Sequence, residues 1–474
     1  NQLLCHNTLF DAAVLYWNYG LKAAFYFDTL CIARGLMPYA SASLGDLCER
    51  LFPDDLSLRK GKELVSANGV REFEGSLYDD MAGYCQQDVD LTLAVFIALA
   101  PHFPEKELFN IHWTIRNFAE PVMVLDQELC HQNIQNIEQT RADKLESLGL
   151  PKTTLSSAKK FTDYMVDQFD IKPPTQYSQT TKKRSVSWAK DCLEFLRLQR
   201  DRPELMPYFE GRLMFGSSIE ISRSNRHLAH VQPDGTIAIP LKYCGAHTTR
   251  WSGTNKINFQ NIPRSSVLRN TICAPEGYKV INPDLSNIEG RVSAWLAGDE
   301  AKLAEYGADV DLYNKLATAI FGYPVDRKAK DENGKKMFAT EGAIGKTAEL
   351  GLGYGMGFRK FWETCAKGPM GEPPVLLPDG DAKRVVDTWR GMNTPIVEMW
   401  RYADWVLEKL ADPNTLPFSW GPLTVHYGRI ELPSGLSIHY KNLKLRKQKT
   451  YDEDGNVIGE KYSYSYFDGF KYKW

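Results

Sequence analysis

Residues 279–291 read KVINPDLSNIEGR and constrain this chain more than any other segment, because an apolar stretch ends at an acid and passes directly into a helical pattern. The pattern predicts a strand that ends at Asp284 and a helix that ends at Gly298. The apolar residues of that helix share one face: Ile288, Val292, Trp295 and Leu296. A carboxylate at a strand end is rigidly held, and the carbonyl of Leu285 lies beside it. Both are therefore predicted ligands of a divalent cation.

Two simpler interpretations of this segment stay open. Ser286 and Glu289 have the spacing of a capping box, in which the two side chains would only cap the helix. Asp284 taken alone also fits an ordinary turn aspartate. The rest of the chain has to decide between these interpretations and a metal site.

Length and composition describe a globular protein of several domains. A chain of 474 residues with 43% hydrophobic residues has room for roughly three domains, and no apolar run approaches the roughly 18 residues of a membrane span. The nine cysteines include no CxxC pair, which argues against a disulfide framework and a thiolate zinc site. We therefore expect a cytoplasmic protein. The pair His227 and His230 has no acid nearby in the sequence and is interpreted as two surface residues that bind no metal.

The net charge of −2 excludes a generally basic surface, so contacts with nucleic acid would have to come from local patches. Two patches qualify, Lys182-Lys183-Arg184 and the run from Lys441 to Lys449, which includes Lys444, Arg446 and Lys447. Either patch is equally compatible with a solvated loop or strand face.

A second constellation is GKTAELGLGYG at residues 345–355. On a helix, Lys346, Leu350 and Tyr354 would share one face and offer a cation for phosphates, an apolar platform and an aromatic ring. This combination predicts a nucleotide-binding face. A P-loop is the alternative, but its pattern requires glycine where Thr340 stands, and no buried strand precedes it.

Two further groups of polar residues complete the candidates. The segments TTRWS at 248–252 and NFQNIP at 258–263 offer a guanidinium and side-chain amides, which suit hydrogen bonds to minor-groove acceptors: Arg250, Gln260 and Asn261. Near the N-terminus, Asp11 follows a predicted strand, and Tyr84 and Asp88 lie one helical turn apart. Acids that converge from separate elements can hold two metal ions and cleave a phosphodiester.

The periodicity changes along the chain. It predicts α/β structure in the first hundred residues and helices from there to about residue 200, with a break at Pro173-Pro174. Strand-like pieces follow between 237 and 281, and helices return from 286 to about 410.

The C-terminal part is predicted to consist of strands. They are 429–432, a turn at Pro433-Ser434-Gly435, then 437–445 and a hairpin that turns at Asp454-Gly455. The last strand alternates tyrosines with serines at Tyr462, Tyr464 and Tyr466.

Together and in this order, these constellations resemble DNA-directed DNA polymerases of family A, of the phage type, with a 3'-5' exonuclease domain. Residues 284–291 fit the motif DYSQIELR, in which the Asp binds metal and the Glu guards against ribonucleotides. The motif implies that Ser286 and Glu289 bind the nucleotide and that Arg291 binds DNA. Residues 346–355 fit the fingers helix RxxxKxxxF/YxxYG, and Arg250 with residues 260–263 is similar to TGRLSS…LQNIP, which tracks the primer-template. Asp11, Tyr84 and Asp88 fit the second and third exonuclease motifs.

The resemblance implies an α+β multidomain fold in which a partial RNase H-like 3'-5' exonuclease domain precedes a right-hand polymerase of thumb, palm and fingers. The implied ranges are exonuclease 1–104, thumb 105–236, first palm part 237–300, fingers 301–395 and second, incomplete palm part 396–474. The implied function is DNA synthesis from dNTPs on a primer-template, with Mg²⁺ or Mn²⁺ as cofactor. For a phage protein, the compartment would be the cytoplasm of the bacterial host.

The departures from the family pattern concern the incoming nucleotide. Gly342 stands where the fingers helix normally has a phosphate-binding arginine, Asp311 stands where many relatives have histidine, and Leu350 replaces Phe or Tyr. We expect phosphate binding to depend on Lys346, with help from another cation such as Lys335 or Lys336.

Two acidic motifs of the family are not found in the chain. The exonuclease DxE motif would lie upstream of Asn1, and the palm HDE motif, which has the second metal-binding aspartate, would lie downstream of Trp474. We therefore expect activity to require the missing C-terminal segment, covalently attached or as a second polypeptide. A non-catalytic DNA-binding remnant and a protein that acts chiefly as an exonuclease remain alternatives.

Overall fold

The N-terminal part combines a small parallel sheet with helices. In the computed structural model, β1 (Gln2–Cys5) pairs in parallel with β2 (Phe25–Asp28) through the crossover helix α1 (Thr8–Tyr19). Three helices follow: α2 (Thr29–Leu36), α3 (Leu44–Leu51) and α4 (Ser76–Leu99). Asp28 ends β2 and caps α2, because its carboxylate accepts from the N–H groups of Leu30 and Cys31. These elements confirm the α/β pattern predicted for the first hundred residues.

The structure describes residues 1–61, 65, 67–178, 181, 183–368, 374–378, 380–451, 457–469 and 471–473, without the side chains of residues 450, 451 and 458. No helix within these ranges is long and apolar enough to cross a membrane.

The next part is mainly helical. Its helices are α5 (Glu105–Ala119), α6 (Gln127–Leu148), α7 (Lys152–Ser156), α8 (Ala158–Phe169), α9 (Leu193–Asp201), α10 (Met206–Gly216) and α11 (Ile219–Leu228). An aromatic core holds α8, α9 and α10 together: Phe161, Trp188, Phe195 and Phe209. The prediction of helices alone is wrong at one place, where β4 (Thr175–Ser178) and β5 (Lys183–Val186) form an antiparallel hairpin. Pro173 and Pro174 end the helical region because proline has no N–H for a helical hydrogen bond.

Short strands link this helical part to the following one. They are β3 (Val124–Leu125), β6 (Leu241–Lys242), β7 (Ser252–Gly253) and β8 (Ile272–Cys273), together with the short helix α12 (Val267–Asn270). β3 pairs with β8 and β6 pairs with β7. The strand-like pieces predicted between 237 and 281 are thus present, each only two residues long.

The strand predicted to carry Asp284 is absent. Residues 274–284 contain no helix or strand, and Val280 and Ile281 are 54% and 86% exposed. Strands are stabilised by hydrogen bonds to neighbours, and 279–284 pairs with no strand within the described ranges. The helix predicted after it is confirmed as α13 (Ile288–Ala297), which ends at Gly298 in a left-handed conformation.

Six helices form the next unit: α14 (Glu300–Gly307), α15 (Leu312–Phe321), α16 (Ala339–Leu352), α17 (Phe358–Lys367), α18 (Asp381–Met392) and α19 (Thr394–Ala411). α15 to α19 share one core, which includes Leu316, Ile344, Phe361, Val385 and Trp389, whereas α14 packs in a smaller cluster through Tyr306. α15 and α16 pack closely at Gly345, where a Cβ would lie 2.7 Å from the carbonyl oxygen of Tyr313.

The C-terminal part consists of strands, as predicted. β9 (Phe418–Trp420), β10 (Leu423–His426), β11 (Arg429–Glu431) and β12 (Ser437–His439) form one antiparallel sheet, and β13 (Lys441–Tyr451), β14 (Val457–Phe467) and β15 (Tyr472–Lys473) form another. The predicted strand 437–445 is therefore wrong as a single element, because it divides between the two sheets at Tyr440. The predicted turn at Asp454-Gly455 lies outside the described residues, although the strands on either side of it pair.

Candidate polymerase and exonuclease sites

Three of the predicted site residues meet at one carboxylate. Glu289 accepts a hydrogen bond from the hydroxyl of Tyr354 and another from Nη2 of Arg250, at 3.0 Å. Tyr354 lies 65 positions after Glu289 in the sequence, and Arg250 lies 39 positions before it. The tertiary structure thus joins three segments that the sequence marked separately, and we call these residues the Glu289 cluster.

The hydrogen bonds explain the ionisation of this cluster. The bond from Tyr354, and next the bond from Arg250, lower the pKa of Glu289, because both stabilise the carboxylate. The same bond raises the pKa of the Tyr354 hydroxyl, because ionised Tyr354 would lose its acceptor. At neutral pH the cluster therefore holds a charged acid and a neutral phenol.

The local backbone directs Glu289 toward this cluster. α13 begins after Asn287, which has a left-handed conformation (φ 53°) and makes no side-chain cap. The capping-box interpretation of Ser286 and Glu289 is therefore wrong: Asn287 occupies the cap position, and Glu289 bonds outside the helix.

Trp251 anchors the segment that carries Arg250. Its Nε1 donates to the hydroxyl of Thr114 on α5, at 2.8 Å. Its ring lies 6.0 Å from that of Tyr243, which is buried. The Arg250 side chain itself is 72% exposed and can reach a ligand from solvent.

The acid predicted to bind metal lies in an exposed segment. Asp284 is exposed, and Leu285 beside it is 72% exposed. Arg291 holds the following loop, since its Nε donates to the carbonyl oxygen of Ser286 and its Nη2 to that of Tyr306, each at 3.0 Å. In this structure Arg291 therefore positions the loop beside Asp284.

Helix α16 carries two of the predicted nucleotide-binding residues. Lys346 and Leu350 lie one turn apart and are both half-buried, whereas Tyr354 lies two residues beyond the end of the helix in a turn. Gly345 lies in the middle of α16, although a P-loop requires GK[ST] at the start of a helix. The P-loop alternative is therefore wrong, and Gly345 serves helix packing.

Gln260 and Asn261 are exposed on a 3-10 turn at Phe259–Asn261. The side chain of Asn258 accepts from the N–H of Gln260 at 3.0 Å and fixes the turn. Ile262 is buried against Cys130 and Leu268 and anchors its C-terminal side. The two amides are therefore presented outward from a fixed backbone.

The N-terminal acids line one large cavity. Asp11 and Asp88 both face a cavity of about 1260 Å³. Lys60 donates to Oδ1 of Asp88 at 2.6 Å and lies 4.8 Å from the centre of the Tyr84 ring. Burial raises the pKa of Asp11, although hydrogen bonds from its own backbone and from Cys5 lower it. The structure thus brings together the acids and the tyrosine that the sequence placed 73 to 77 positions apart.

The sequence reasoning missed two residues of this cavity. Lys60 had no motif to mark it, and only its contact with Asp88 identifies it. His6 lines the same cavity, and burial lowers its pKa to about 4, so it is neutral at pH 7.

Neither group of acids forms a complete metal centre in the residues described. Across those residues, no three His, Cys, Asp or Glu side chains lie close enough to hold one ion. Two-metal sites need several carboxylates, so Asp284 alone, or Asp11 with Asp88, would need further acids to make up such a site.

The predicted basic patches are partly neutralised. Lys182 lies outside the described residues, and Arg184 pairs with Glu194 at 2.7 Å. On β13, Lys447 pairs with Glu460, while Lys441 and Arg446 lie over the rings of Tyr39 and Tyr472. Several of the predicted basic side chains therefore form ion pairs or cation–π contacts within the protein.

Comparison with known proteins finds relatives among the DNA polymerases of phages and bacteria. The chain is 25% identical to the DNA polymerase of Bacillus phage SP02 over 442 residues, which covers 82% of this chain and 63% of that protein. It is 26% identical to DNA polymerase I of Chloroflexus aurantiacus over 246 residues, 49% of this chain and 24% of that protein. The chain therefore spans less than two thirds of the length of either relative.

A solved structure supports the same fold. The polymerase domain of Pol1 from M. smegmatis, in complex with DNA primer-template and dNTP, matches 86% of this chain and 65% of that chain, with a TM-score of 0.57 and 19% identity. A family model described as 3'-5' exonuclease matches residues 2–103, and the model of DNA polymerase family A matches residues 125–366. The second match covers half of the sequence, and the chain belongs to DNA polymerase family A.

Proposed function

We propose that this chain takes part in template-directed DNA synthesis, in which a primer 3'-hydroxyl attacks the α-phosphate of a dNTP and pyrophosphate leaves. The observation that carries this proposal is the Glu289 cluster, where Arg250, Glu289 and Tyr354 meet. These residues come from the segments predicted to contact primer-template, metal and nucleotide. One place on the surface therefore combines the groups that such a reaction has to bring together.

The proposed roles follow from the chemistry of each side chain. Arg250, Gln260 and Asn261 are exposed donors for the minor groove of the primer-template, where acceptors are nearly the same for every base pair. Lys346 binds phosphate, and Leu350 and Tyr354 form the apolar and aromatic surface for the base and sugar. The partners are accordingly DNA and dNTPs, and the proposed setting is the cytoplasm of a bacterial host.

Mg²⁺, or Mn²⁺, is the cofactor that this reaction would use. In such sites the cations activate the attacking hydroxyl and neutralise the leaving pyrophosphate. Asp284 and the Leu285 carbonyl are exposed oxygen ligands of the right type, but they are too few. We therefore propose that further carboxylates come from protein outside these 474 residues.

The exposed segment 279–284 supports a partner for this part of the chain. Val280 and Ile281 are apolar and exposed, and the next helix leaves Val292 and Trp295 46% and 55% exposed. The backbone of 279–284 also pairs with no strand within the described residues. A strand that paired with it, supplied for example by a second polypeptide, would satisfy its backbone hydrogen-bonding groups.

Primer extension tests this proposal. We expect no Mg²⁺-dependent extension by the 474-residue chain alone, and extension once a second polypeptide with the family's other metal-binding aspartate is supplied. Asp284→Ala should abolish that extension, whereas Glu276→Ala, which changes an exposed acid eight residues earlier in the chain, should retain it. Extension by the chain alone would contradict the requirement for a further segment, and an active Asp284→Ala enzyme would contradict the assignment of Asp284.

A 3'-5' proofreading exonuclease is the second proposed activity. It is supported by the cavity that Asp11 and Asp88 share with Lys60, whose ammonium group also lies over the ring of Tyr84. When the segment with the upstream acidic motif is present, degradation of single-stranded 3' ends should be lost in Asp88→Ala. The control Asp90→Ala changes an exposed acid on the same helix and should have little effect.

Binding assays separate the remaining alternatives. A protein that only binds DNA would shift a primer-template in a gel, yet it would not synthesise DNA when the second polypeptide is supplied. A protein that acts chiefly as an exonuclease would degrade 3' ends under conditions in which it extends none.

A further inference from the structure

Helix α16 has no side chain at Gly342, and Arg327 fills the space beside it. A Cβ at Gly342 would lie 2.7 Å from Cβ and 3.4 Å from Cα of Arg327. Gly342 is buried and lies one helical turn before Lys346. The stem of Arg327 therefore packs on the helix that carries Lys346, at the adjacent turn.

Asp311 and Tyr313 hold the guanidinium of Arg327 in a defined position. Its Nε donates to Oδ2 of Asp311 at 3.1 Å, and the group lies 4.8 Å from the centre of the Tyr313 ring. The other oxygen of Asp311 caps α15 by accepting from the N–H of Asn314 at 3.1 Å. Asp311 is thus fixed by the helix and fixes Arg327 in turn.

Tyr313 connects Arg327 to the loop beside Asp284. Its hydroxyl donates to Oδ1 of Asn287 at 2.9 Å. A cavity of about 180 Å³ lies here, and its lining includes Ser286, Asn287, Arg327 and Lys328. Lys335 and Lys336, the cations that the sequence suggested, are exposed and do not line it; Lys346 lies outside the lining too, on the turn of α16 next to the Arg327 stem.

The cavity is lined by acids as well as by basic side chains, and this reduces its net positive charge. Asp311 pairs with Arg327, and Glu349 pairs with Lys302 at 2.5 Å, while Asp309 and Arg291 also contribute to the lining. A guanidinium has five N–H donors, so a bond from Nε to Asp311 is compatible with a bidentate bond to a phosphate.

We propose that Arg327 binds the phosphate groups of the incoming dNTP together with Lys346, in place of a side chain at position 342. Asp311 and Tyr313 act as positioning residues for the guanidinium. This inference rests on the proposed function, because it names a binding residue for the same nucleotide. It also explains two departures from the family pattern together. Gly342 leaves space for the stem of Arg327, and Asp311 provides the acceptor for its guanidinium.

Nucleotide binding to the 474-residue chain on a primer-template tests the proposal. Calorimetric titrations with dATP and with deoxyadenosine, opposite a template thymine, separate phosphate recognition from base recognition. Arg327→Met should weaken dATP binding about tenfold to a hundredfold, as expected for a lost charge-assisted hydrogen bond, and leave deoxyadenosine binding within about twofold. Arg327→Lys should recover part of the loss, because it keeps the charge but not the bidentate geometry.

Two further variants complete the design. Lys330→Met makes the same charge change three residues away, on an exposed side chain outside the cavity, and should retain dATP affinity. Gly342→Ala leaves Arg327 in the sequence but places a methyl group against its stem, and should also weaken dATP binding.

The outcomes distinguish this inference from the proposed function. Equal dATP affinities of Arg327→Met and Lys330→Met would overturn the inference alone. An equal loss for dATP and deoxyadenosine would show a merely structural role and overturn it as well. Failure of the unsubstituted chain to bind dATP would overturn the proposed function and the inference with it.

Discussion

Tyr354 donates a hydrogen bond to the carboxylate of Glu289, and this bond connects the turn after α16 with the first turn of α13. Both side chains are largely exposed, so the bond contributes little to stability. Its importance lies in position. A nucleotide that binds to the surface of α16 would meet the Glu289 carboxylate on the side from which Arg250 also approaches.

The first prediction concerns sugar selection by Glu289. Glu289→Ala removes the acceptor of both Tyr354 and Arg250 and opens space beside the proposed sugar site. We expect the affinity for ATP relative to dATP to rise at least about tenfold, because a pocket wall discriminates by steric contact. Titration of the primer-template complex with each nucleotide measures this ratio. Glu300→Ala, an exposed acid at the start of α14, is the control, and an unchanged ratio in Glu289→Ala would contradict the prediction.

The second prediction concerns a buried ion pair behind α16. Lys302 and Glu349 are 9% and 10% exposed, their charged atoms lie 2.5 Å apart, and Trp389 donates to Glu349 at 2.8 Å. Lys302→Met leaves the carboxylate buried without a cation and should lower the free energy of unfolding by about 3–5 kcal/mol. The double variant Lys302→Met/Glu349→Met should lose much less, because no unpaired charge remains. Urea unfolding measures both losses.

A matched control for this pair is available on the surface. Lys315 pairs with Glu305, and these side chains are 45% and 29% exposed. Lys315→Met should cost less than about 1 kcal/mol. If the single variant at Lys302 were no more damaging than this control, the buried pair would not stabilise the helical unit as argued.

The third prediction concerns helix packing at Gly345. A Cβ there would lie 2.7 Å from the carbonyl oxygen of Tyr313 and 2.9 Å from Cβ of Ala317, so Gly345→Ala has to push α15 away from α16. We expect a loss of about 1–3 kcal/mol in urea unfolding. Gly391→Ala on α18 meets no atom within 4 Å and should be neutral or stabilising, since alanine favours helix. Equal effects of the two substitutions would contradict the close packing.

The fourth prediction concerns acid stability. His227 is 2% exposed and stacks near Phe259 at 4.9 Å between ring centres, so the expectation of a surface position for this residue is wrong. Burial lowers its pKa to about 4, with smaller contributions from His230 and Arg223. In the unfolded chain His227 becomes protonated near pH 6.5, whereas in the folded chain it becomes protonated only near pH 4. The free energy of unfolding should therefore decrease as the pH falls from 6.5 to 4, by up to about 3 kcal/mol from this residue.

His227→Gln tests that prediction because glutamine stays neutral throughout. The slope of unfolding free energy against pH between 6.5 and 4 should be shallower in His227→Gln than in the unsubstituted chain. His230→Gln, at the half-buried histidine three residues later, serves as the comparison. Identical slopes in all three proteins would show that His227 does not carry the effect.

The sequence predicted the helices of both sites because their signals are local. The periodicity after Asp284 predicted α13 and its end at Gly298. The spacing of Lys346, Leu350 and Tyr354 predicted one helix face, which is right for the first two and wrong for Tyr354, beyond the end of α16. The acids Asp11 and Asp88 were likewise marked by short patterns on single elements. Signals of this kind depend on neighbours within one or two turns, so they are readable without the fold.

The sequence was less informative where distant segments decide the structure. Residues 279–284 have the composition of a strand, yet a strand needs a neighbour, and within the described residues none pairs with them. The run 437–445 was predicted as one strand and divides between two sheets at Tyr440. Local pattern does not contain the identity of the pairing partner, which sets these outcomes.

By itself, the sequence thus determined the family and marked the residues that we propose to carry chemistry, because side-chain types and short spacings can be read directly from the chain. Only the tertiary structure decided how those residues are used: Glu289 bonds to Arg250 and Tyr354 and does not cap its helix, Lys60 meets Asp88, and Arg327 packs against Gly342. The physical reason is that these are contacts between segments far apart in the chain. They form only when the cores of several units have packed, and no local pattern encodes their distances.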